Sequence, residues 1–244
     1  MKELKIVSYT SLIIFIILIL NSLLGDIVFR LSYLNPKVSL QGRKPLSAQE
    51  FPIQNDIPES EQTTIEVRAQ NNKVYKLKTQ AEYSVTGMVV ATNTNFFLRN
   101  VMRNKFDDVC LMDIGLVWGD IANREYIQKY LKFKSSKTLG SARQLTVTTK
   151  NSNGLPHRWG YITSHMGHTH LIPKNSNIMS SLLTIKKNDI VKLDGYLVDI
   201  YTDAGEIVAK TSLSRFDNNA TSRGYGACED MYVTQVQIGN RIYR

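Results

Sequence analysis

The chain has 244 residues, of which 43% are hydrophobic and 21% are charged, and its formal net charge is +9. This composition excludes a disordered tail and suits one globular domain, because enough apolar residues are present to form a core. A basic protein meets anionic lipid headgroups or nucleic acid, and nucleic acid is the less expected partner because no ribonucleoprotein motif or zinc-finger spacing accompanies the charge.

The start of the chain predicts a membrane anchor. Residues 6–25 contain no charged residue and no proline, and a helix of about 20 residues spans a hydrocarbon core of roughly 30 Å. A cleaved signal peptide is the alternative, but the apolar run is longer than a usual signal core and no A-x-A-like site follows it. We therefore expect residues 1–5 to form a tail and residues 6–29 to form an uncleaved transmembrane helix.

The flanking charges give a weaker indication of orientation. Lys2 and Lys5 favour a cytoplasmic tail, whereas Arg30 and Lys37 on the other flank favour the opposite. Long domains translocate largely regardless of such charges. We expect a single-pass membrane protein with the N-terminus in the cytoplasm and the bulk outside it.

After the anchor, residues 30–62 carry four widely spaced prolines among polar residues. Proline removes backbone donors and favours extended conformations, so this segment predicts a semi-stiff linker that separates the domain from the bilayer. Residues 63–244 then predict a β-rich soluble domain.

Short alternating segments separated by turn residues dominate residues 63–244, which is typical of a mainly β fold. Residues 122–133 and 175–185 have helical spacing, with Ser176 or Asn177 as a cap of the second helix. The expected fold class is therefore mainly β with minor α, a transmembrane helix followed by a small barrel or sandwich of OB-like or SH3-like kind.

The four histidines all lie between His157 and His170. His165, His168 and His170 suggest a zinc site, because three imidazoles leave a fourth position open for water. His168 and His170 share one face of an extended chain, and a bend at Gly167 would bring in His165. The alternative is that these histidines bond to backbone or face solvent, because no carboxylate lies near them in sequence.

Asp113 is the single charge in an apolar predicted strand, residues 109–118. It is either a site residue with buried partners or, as the favoured interpretation, a residue at a strand edge or in solvent. Asp113, Asp189 or Glu229 would have to provide any carboxylate near the histidines.

Cys110 and Cys228 lie far apart in sequence and do not form a C-x-x-C pair. They form one disulfide in an oxidising compartment or two buried thiols in a reducing one. The sequence alone leaves both alternatives open.

Several phrases together resemble those of uncharacterised bacterial proteins with one N-terminal membrane helix and an extracytoplasmic domain. The phrases are Glu82 to Gly87, Gly115 to Gly119, His170-Leu171-Ile172-Pro173, Gly195-Tyr196-Leu197-Val198, Ser212 to Arg215, and Gly226-Ala227-Cys228-Glu229. The resemblance implies a single-pass protein of a bacterial inner membrane, with the bulk of the chain in the periplasm. It implies no activity, cofactor or catalytic residue. It does imply that Phe216 to Tyr225 is an extended loop.

The favoured function is a membrane-tethered extracytoplasmic binding or assembly module, with no cofactor, in a complex that includes protein partners and the lipid bilayer. It follows from the anchor, the basic charge and the lack of a convincing catalytic set. The alternative is a zinc-dependent hydrolase that uses His165, His168 and His170.

Overall fold

The computed structural model describes residues 13–17, 20, 24, 27–28, 31–33, 35–42, 44–69, 71–94, 104–137, 143–150, 154–214 and 228–244. In this part of the chain the fold is mainly β, as predicted. The strands are β1 (Leu40–Gln41), β2 (Ile53–Asp56), β3 (Thr64–Arg68), β4 (Val74–Asn93), β5 (Met112–Val117), β6 (Leu131–Lys137), β7 (Arg143–Thr149), β8 (Met166–Pro173), β9 (Ile190–Thr202), β10 (Ile207–Ala209), β11 (Glu229–Ile238) and β12 (Arg241–Tyr243). The helices are α1 (Lys105–Val109), α2 (Arg124–Tyr130), α3 (Trp159–Ser164) and α4 (Ser176–Thr184), with 3₁₀ turns at Glu59–Glu61 and Gly119–Ile121.

Five strands pair in a closed ring. β4 pairs with β5, β5 with β8, β8 with β11, β11 with β9, and β9 returns to β4. The β8–β11 pair is parallel and the other four are antiparallel. Because the last pairing brings the chain back to its first barrel strand, these five strands leave no open edge between them.

The interior of the ring is apolar because alternate residues of each strand point inward. All five strands contribute to one buried cluster, which α4 extends with Ile178 and Leu182. Gly195 lies where β9 pairs with both β4 and β11, and a Cβ there would be 2.0 Å from the carbonyl oxygen of Tyr232. Any side chain at this position would therefore force β9 and β11 apart.

A separate hairpin covers the outside of the barrel. β6 and β7 pair with each other in a two-stranded sheet. Leu145 of β7 packs closely against Gly115 of β5. A Cβ added to Gly115 would lie 2.9 Å from each of the two methyl carbons of Leu145. This close approach makes the outer side of β5 a second buried layer.

At the N-terminal end, the described residues 13–17, 20, 24, 27–28 and 31–32 are helical. The predicted anchor, residues 6–29, lies in part outside the described residues. Among the residues that are described, no helix is long and apolar enough to cross a membrane.

The segment predicted as a linker, residues 30–62, instead contributes to the body. β1 pairs with β12, and β2 pairs with residues 81–84 of β4. The backbone nitrogen of Lys37 also donates to the side chain of Asn177 on α4 at 2.7 Å. Proline does not prevent this arrangement, because β1 and β2 are short and lie between the prolines.

The predicted helices differ from the observed ones at their ends. The segment 122–133 contains α2, which stops at Tyr130, and the chain continues as β6. The second predicted helix is α4, but its cap is Asn175, whose side chain accepts from the backbone nitrogen of Ile178. The predicted loop from Phe216 to Tyr225 lies outside the described residues.

Candidate metal centre and buried ion-pair group

The outer side of β5, β8 and β11 carries polar side chains where the inner side carries apolar ones. Asp113 is in register with His170, and His170 is in register with Asp230 of β11. His168 lies two residues before His170 and therefore shares its side of the sheet, as predicted. Three adjacent strands thus place titratable residues next to one another under the β6–β7 hairpin.

His168, His170 and Cys228 form what we call the His–Cys cluster. One ligand atom from each residue lies within 4.8 Å of the other two. The Nδ1 atom of His168 is 3.3 Å from the Sγ atom of Cys228, and its Nε2 atom is 3.5 Å from the hydroxyl of Ser135. The two histidines are buried and Cys228 is half-buried. These residues have the donor atoms that zinc prefers.

Asp107, Asp113 and Arg143 form what we call the ion-pair group. Arg143 donates to Asp113 at 2.7 Å, to Asp107 and to the carbonyl oxygen of Cys110. Both carboxylates are fully buried. The sequence favoured an exposed position for Asp113, and that interpretation is wrong because Arg143 supplies the opposite charge that a buried carboxylate needs.

The two groups meet at one hydrogen bond. The Nδ1 atom of His170 is 2.8 Å from Oδ1 of Asp113. Burial alone would raise the pKa of Asp113, but His170 and Arg143 lower it to about 2. The ionised carboxylate therefore accepts a hydrogen bond from Nδ1 of His170, so Nε2 is the ring nitrogen that remains for contact with a metal ion.

Burial also shifts the pKa of two other residues in this region. It lowers the pKa of His168 to about 3, with a further contribution from His170, so this imidazole is neutral at physiological pH. Burial raises the pKa of Asp230 to about 7, although His170 and Arg143 act in the opposite direction. Perturbed pKa values of this size concentrate at functional sites.

The third predicted ligand, His165, lies outside the cluster. Its ring stacks on Tyr161 with centroids 3.8 Å apart, and its Nδ1 is 2.8 Å from the carbonyl oxygen of Tyr161. His165 ends helix α3, and its own carbonyl accepts from the backbone nitrogen of Trp118. The predicted bend at Gly167 is absent because this residue is already part of β8.

Sequence reasoning missed Cys228 as a partner of the histidines. The sequence left open whether Cys110 and Cys228 form a disulfide, and in the structure they do not. Cys228 directly precedes β11, and the parallel pairing of β11 with β8 brings it beside His168. Cys228 lies just before β11, but nothing in the local sequence specifies that β11 pairs with β8.

A groove opens beside Trp118 on the barrel. It has a volume of about 220 Å³ and is lined by Phe51, Pro52, Gln54, Tyr83, Trp118, Ser214 and Glu229. Trp118 is buried, and its indole nitrogen has no acceptor among the described residues. Phe51 is 49% exposed. Ile53, two residues later, is 59% exposed and lines a different groove.

Comparisons with protein-family models, with curated proteins and with solved structures find no match for this chain.

Proposed function

We propose that this chain is a membrane-tethered binding or assembly module, with its β body on the periplasmic face of a bacterial inner membrane. The observation that carries the proposal is the exposure of apolar helical side chains before the body. Residues 13–17 are five consecutive large hydrophobic residues, and each is between 45% and 61% exposed. An apolar surface around the whole helix is stable when lipid covers it.

The contacts after this helix support a body that lies close to the bilayer. Tyr33 is near the end of the described helical residues, and Lys37 is already hydrogen-bonded to Asn177 of α4. Four extended residues reach at most about 14 Å. A body with a net charge of +9 at this distance would meet the anionic headgroups of the bilayer.

The barrel itself supports a binding role. A closed five-stranded barrel with a helix between its third and fourth strands resembles an OB-fold, in which the face of strands 2 and 3 binds ligands. In this chain those strands are β5 and β8, which carry Asp113, His168 and His170. This is an analogy of fold and specifies no ligand.

The exposed aromatic residue Phe51, which lines the groove beside Trp118, favours a protein partner there. Aromatic residues are enriched in the cores of protein interfaces, and adjacent exposed apolar side chains commonly mark such surfaces. Nucleic acid is a less suitable partner for an apolar groove, because nucleic-acid binding depends on contacts between basic residues and phosphate.

Membrane extraction with a charged variant tests the tether. The native chain should remain in the membrane after alkaline carbonate treatment, and protease added to spheroplasts should digest the body. The double change Ile14→Arg and Ile17→Arg should release the chain, because each arginine near a helix centre costs about 2.5 to 3.5 kcal/mol. Ile207→Arg, at an exposed residue of β10, is the matched control and should stay in the membrane. A carbonate-soluble native chain, or a body that resists the protease, would contradict the proposal.

Site-specific photocrosslinking tests the partner. A crosslinking residue at position 51, in the groove, should capture a protein in intact cells, whereas the same residue at the exposed position 207 should not. The captured protein should also copurify with the native chain in mild detergent. A chain that purifies alone and yields no crosslink at position 51 would contradict an assembly role.

The alternative, a zinc-dependent hydrolase that uses His165, His168 and His170, has less support. His165 contacts Tyr161 and Phe51, while the other two rings approach Cys228. The proposed function therefore includes no catalytic step.

A further inference from the structure

We infer that His168, His170 and Cys228 bind a zinc ion on the outer face of β5 and β8. This inference goes beyond the proposed function and depends neither on the membrane tether nor on a protein partner. The inferred site differs from the three-histidine site predicted from sequence. Cys228, which lies 60 residues after His168 in the chain, takes the place of His165. The argument rests on donor type, spacing and the support given by neighbouring side chains.

The spacing of the donor atoms fits one ion. Zinc binds thiolate sulfur at about 2.3 Å and imidazole nitrogen at about 2.0 to 2.1 Å, so two ligands of a tetrahedral site lie about 3.5 Å apart. The Nδ1 atom of His168 and the Sγ atom of Cys228 are 3.3 Å apart. All three donor atoms lie within 4.8 Å of one another, so the side chains need to close by at most roughly 1 Å when the ion binds.

A supporting shell already orients one of the ligands. Asp113 contacts Nδ1 of His170, and Arg143 holds Asp113 in place. A histidine that binds zinc usually donates its other ring N–H to a carboxylate or carbonyl, which fixes the tautomer and the ring plane. The structure thus assigns Nε2 of His170, Nδ1 of His168 and Sγ of Cys228 as the ligand atoms.

The donor set selects the metal. Calcium and magnesium prefer oxygen ligands, whereas two imidazoles and one thiolate suit zinc or copper. Three protein ligands also leave the fourth zinc position to water or to an added ligand. Because Cys228 is half-buried, an ion can reach the cluster from solvent on that side.

Zinc analysis of the full chain, purified in detergent without chelators, tests the inference. The native chain should carry about one zinc per chain, as expected for one site. His170→Ala and Cys228→Ser should lose it. His165→Ala and Cys110→Ser are the matched controls and should retain it, because neither residue belongs to the cluster. This pair of controls separates the three-histidine site from the His–Cys cluster.

Cobalt substitution supplies a readout that does not depend on stoichiometry. Cobalt bound to thiolate gives a charge-transfer band in the near ultraviolet, so the native chain and Cys110→Ser should show this band. Cys228→Ser should not show it. Competition with a chromogenic chelator should also show zinc binding 10 to 100 times weaker in Asp113→Asn, the effect expected for a residue that orients a ligand.

Folding of each variant is checked by circular dichroism, and Cys228→Ser decides the question if His170→Ala does not fold. A folded native chain that takes up no zinc or cobalt would overturn the inference. Zinc retained in folded Cys228→Ser, or lost in folded His165→Ala, would overturn the assigned ligands.

Discussion

The two sides of β5 and β8 share one backbone but have opposite chemistry. The inner side places Ile114 and Leu171 in the apolar core of the barrel. The outer side places Asp113, His168 and His170 beneath a hairpin, where all three side chains are buried. Both sides are buried, so burial alone does not distinguish them. The inner side contributes through apolar packing, and the outer side depends on every charge having a partner.

The outer polar residues lie between two apolar clusters. Val117 and Met166 belong to one cluster, toward α2, and Ile172 and Tyr232 belong to the other, toward α1. The strands therefore have an outer surface that is apolar, then polar, then apolar along their length. Such a polar island inside a packed layer costs free energy unless it is fully paired, which favours a functional role for it over a structural one.

Loss of Arg143 should have the largest effect on stability. Arg143→Met leaves Asp107 and Asp113 buried without their cation, and breaking a buried ion pair in this way costs about 3 to 5 kcal/mol. Urea unfolding of the full chain measures the change. Lys132→Met, at an exposed position of β6, is the matched control and should shift stability by less than about 0.5 kcal/mol. A loss below about 1 kcal/mol for Arg143→Met would show that the ion-pair group does not depend on the guanidinium.

A change on the inner side should cost stability without affecting the metal. Leu171→Ala removes a fully buried side chain, and such changes cost about 2 to 5 kcal/mol. The variant should still bind one zinc under conditions where it is folded, whereas its neighbour His170→Ala should not. Urea unfolding and zinc analysis of the two variants give the comparison. If both variants lose zinc while folded, the two sides are not independent.

Much of this fold could be predicted from local sequence. Alternation within residues 63–244 correctly indicated a mainly β body, and a helix at α4 followed from its apolar spacing. Short segments such as β1 and β2 could not be recognised, because they form strands only by pairing with β12 and β4. Pairing between distant segments is specified by the whole fold, and no local propensity encodes it.

The candidate site was predictable only in part, for the same reason. The shared face of His168 and His170 follows from the period of a strand. The positions of Cys228 and Arg143 depend on which strand and which hairpin cover that face, and both are far away in sequence. Asp113 was misjudged because a charge in an apolar strand usually faces solvent, and its partner Arg143 lies 30 residues away.

Lowering the pH should remove the contribution of the Asp113 charge to the stability of the fold. Its pKa is lowered from 3.8 to about 2 by His170 and Arg143, against the opposing effect of burial. A carboxyl group with a lowered folded-state pKa stabilises the fold above its unfolded pKa and loses this contribution as pH falls through the folded value. The free energy of unfolding of the native chain should exceed that of Asp113→Asn by about 2 kcal/mol at pH 5. This difference should vanish near pH 2.

Urea unfolding in the presence of a chelator at pH 5, 3 and 2 measures this effect without bound metal. Asp120→Asn, at an exposed carboxylate, is the control and should differ little from the native chain at each pH. A difference between the native chain and Asp113→Asn that stays constant from pH 5 to pH 2 would contradict the role assigned to the Asp113 charge.

The smallest effect is one of reactivity, and it compares the two thiols. Cys110 is fully buried, and burial raises the pKa of its thiol well above the usual range. Alkylation requires the thiolate and access to solvent, so iodoacetamide at pH 8 should modify Cys228 in the folded chain after its zinc has been removed with a chelator, and Cys110 only after unfolding. Added zinc should slow the reaction at Cys228 and leave Cys110 unchanged, as followed by peptide mass spectrometry.

Equal labelling of the two residues would show that Cys110 is not held in the apolar layer. A chain in which neither residue reacts until a reductant is added would establish the disulfide and exclude Cys228 as a zinc ligand, because a sulfur already bonded to Cys110 has no thiolate to offer the ion.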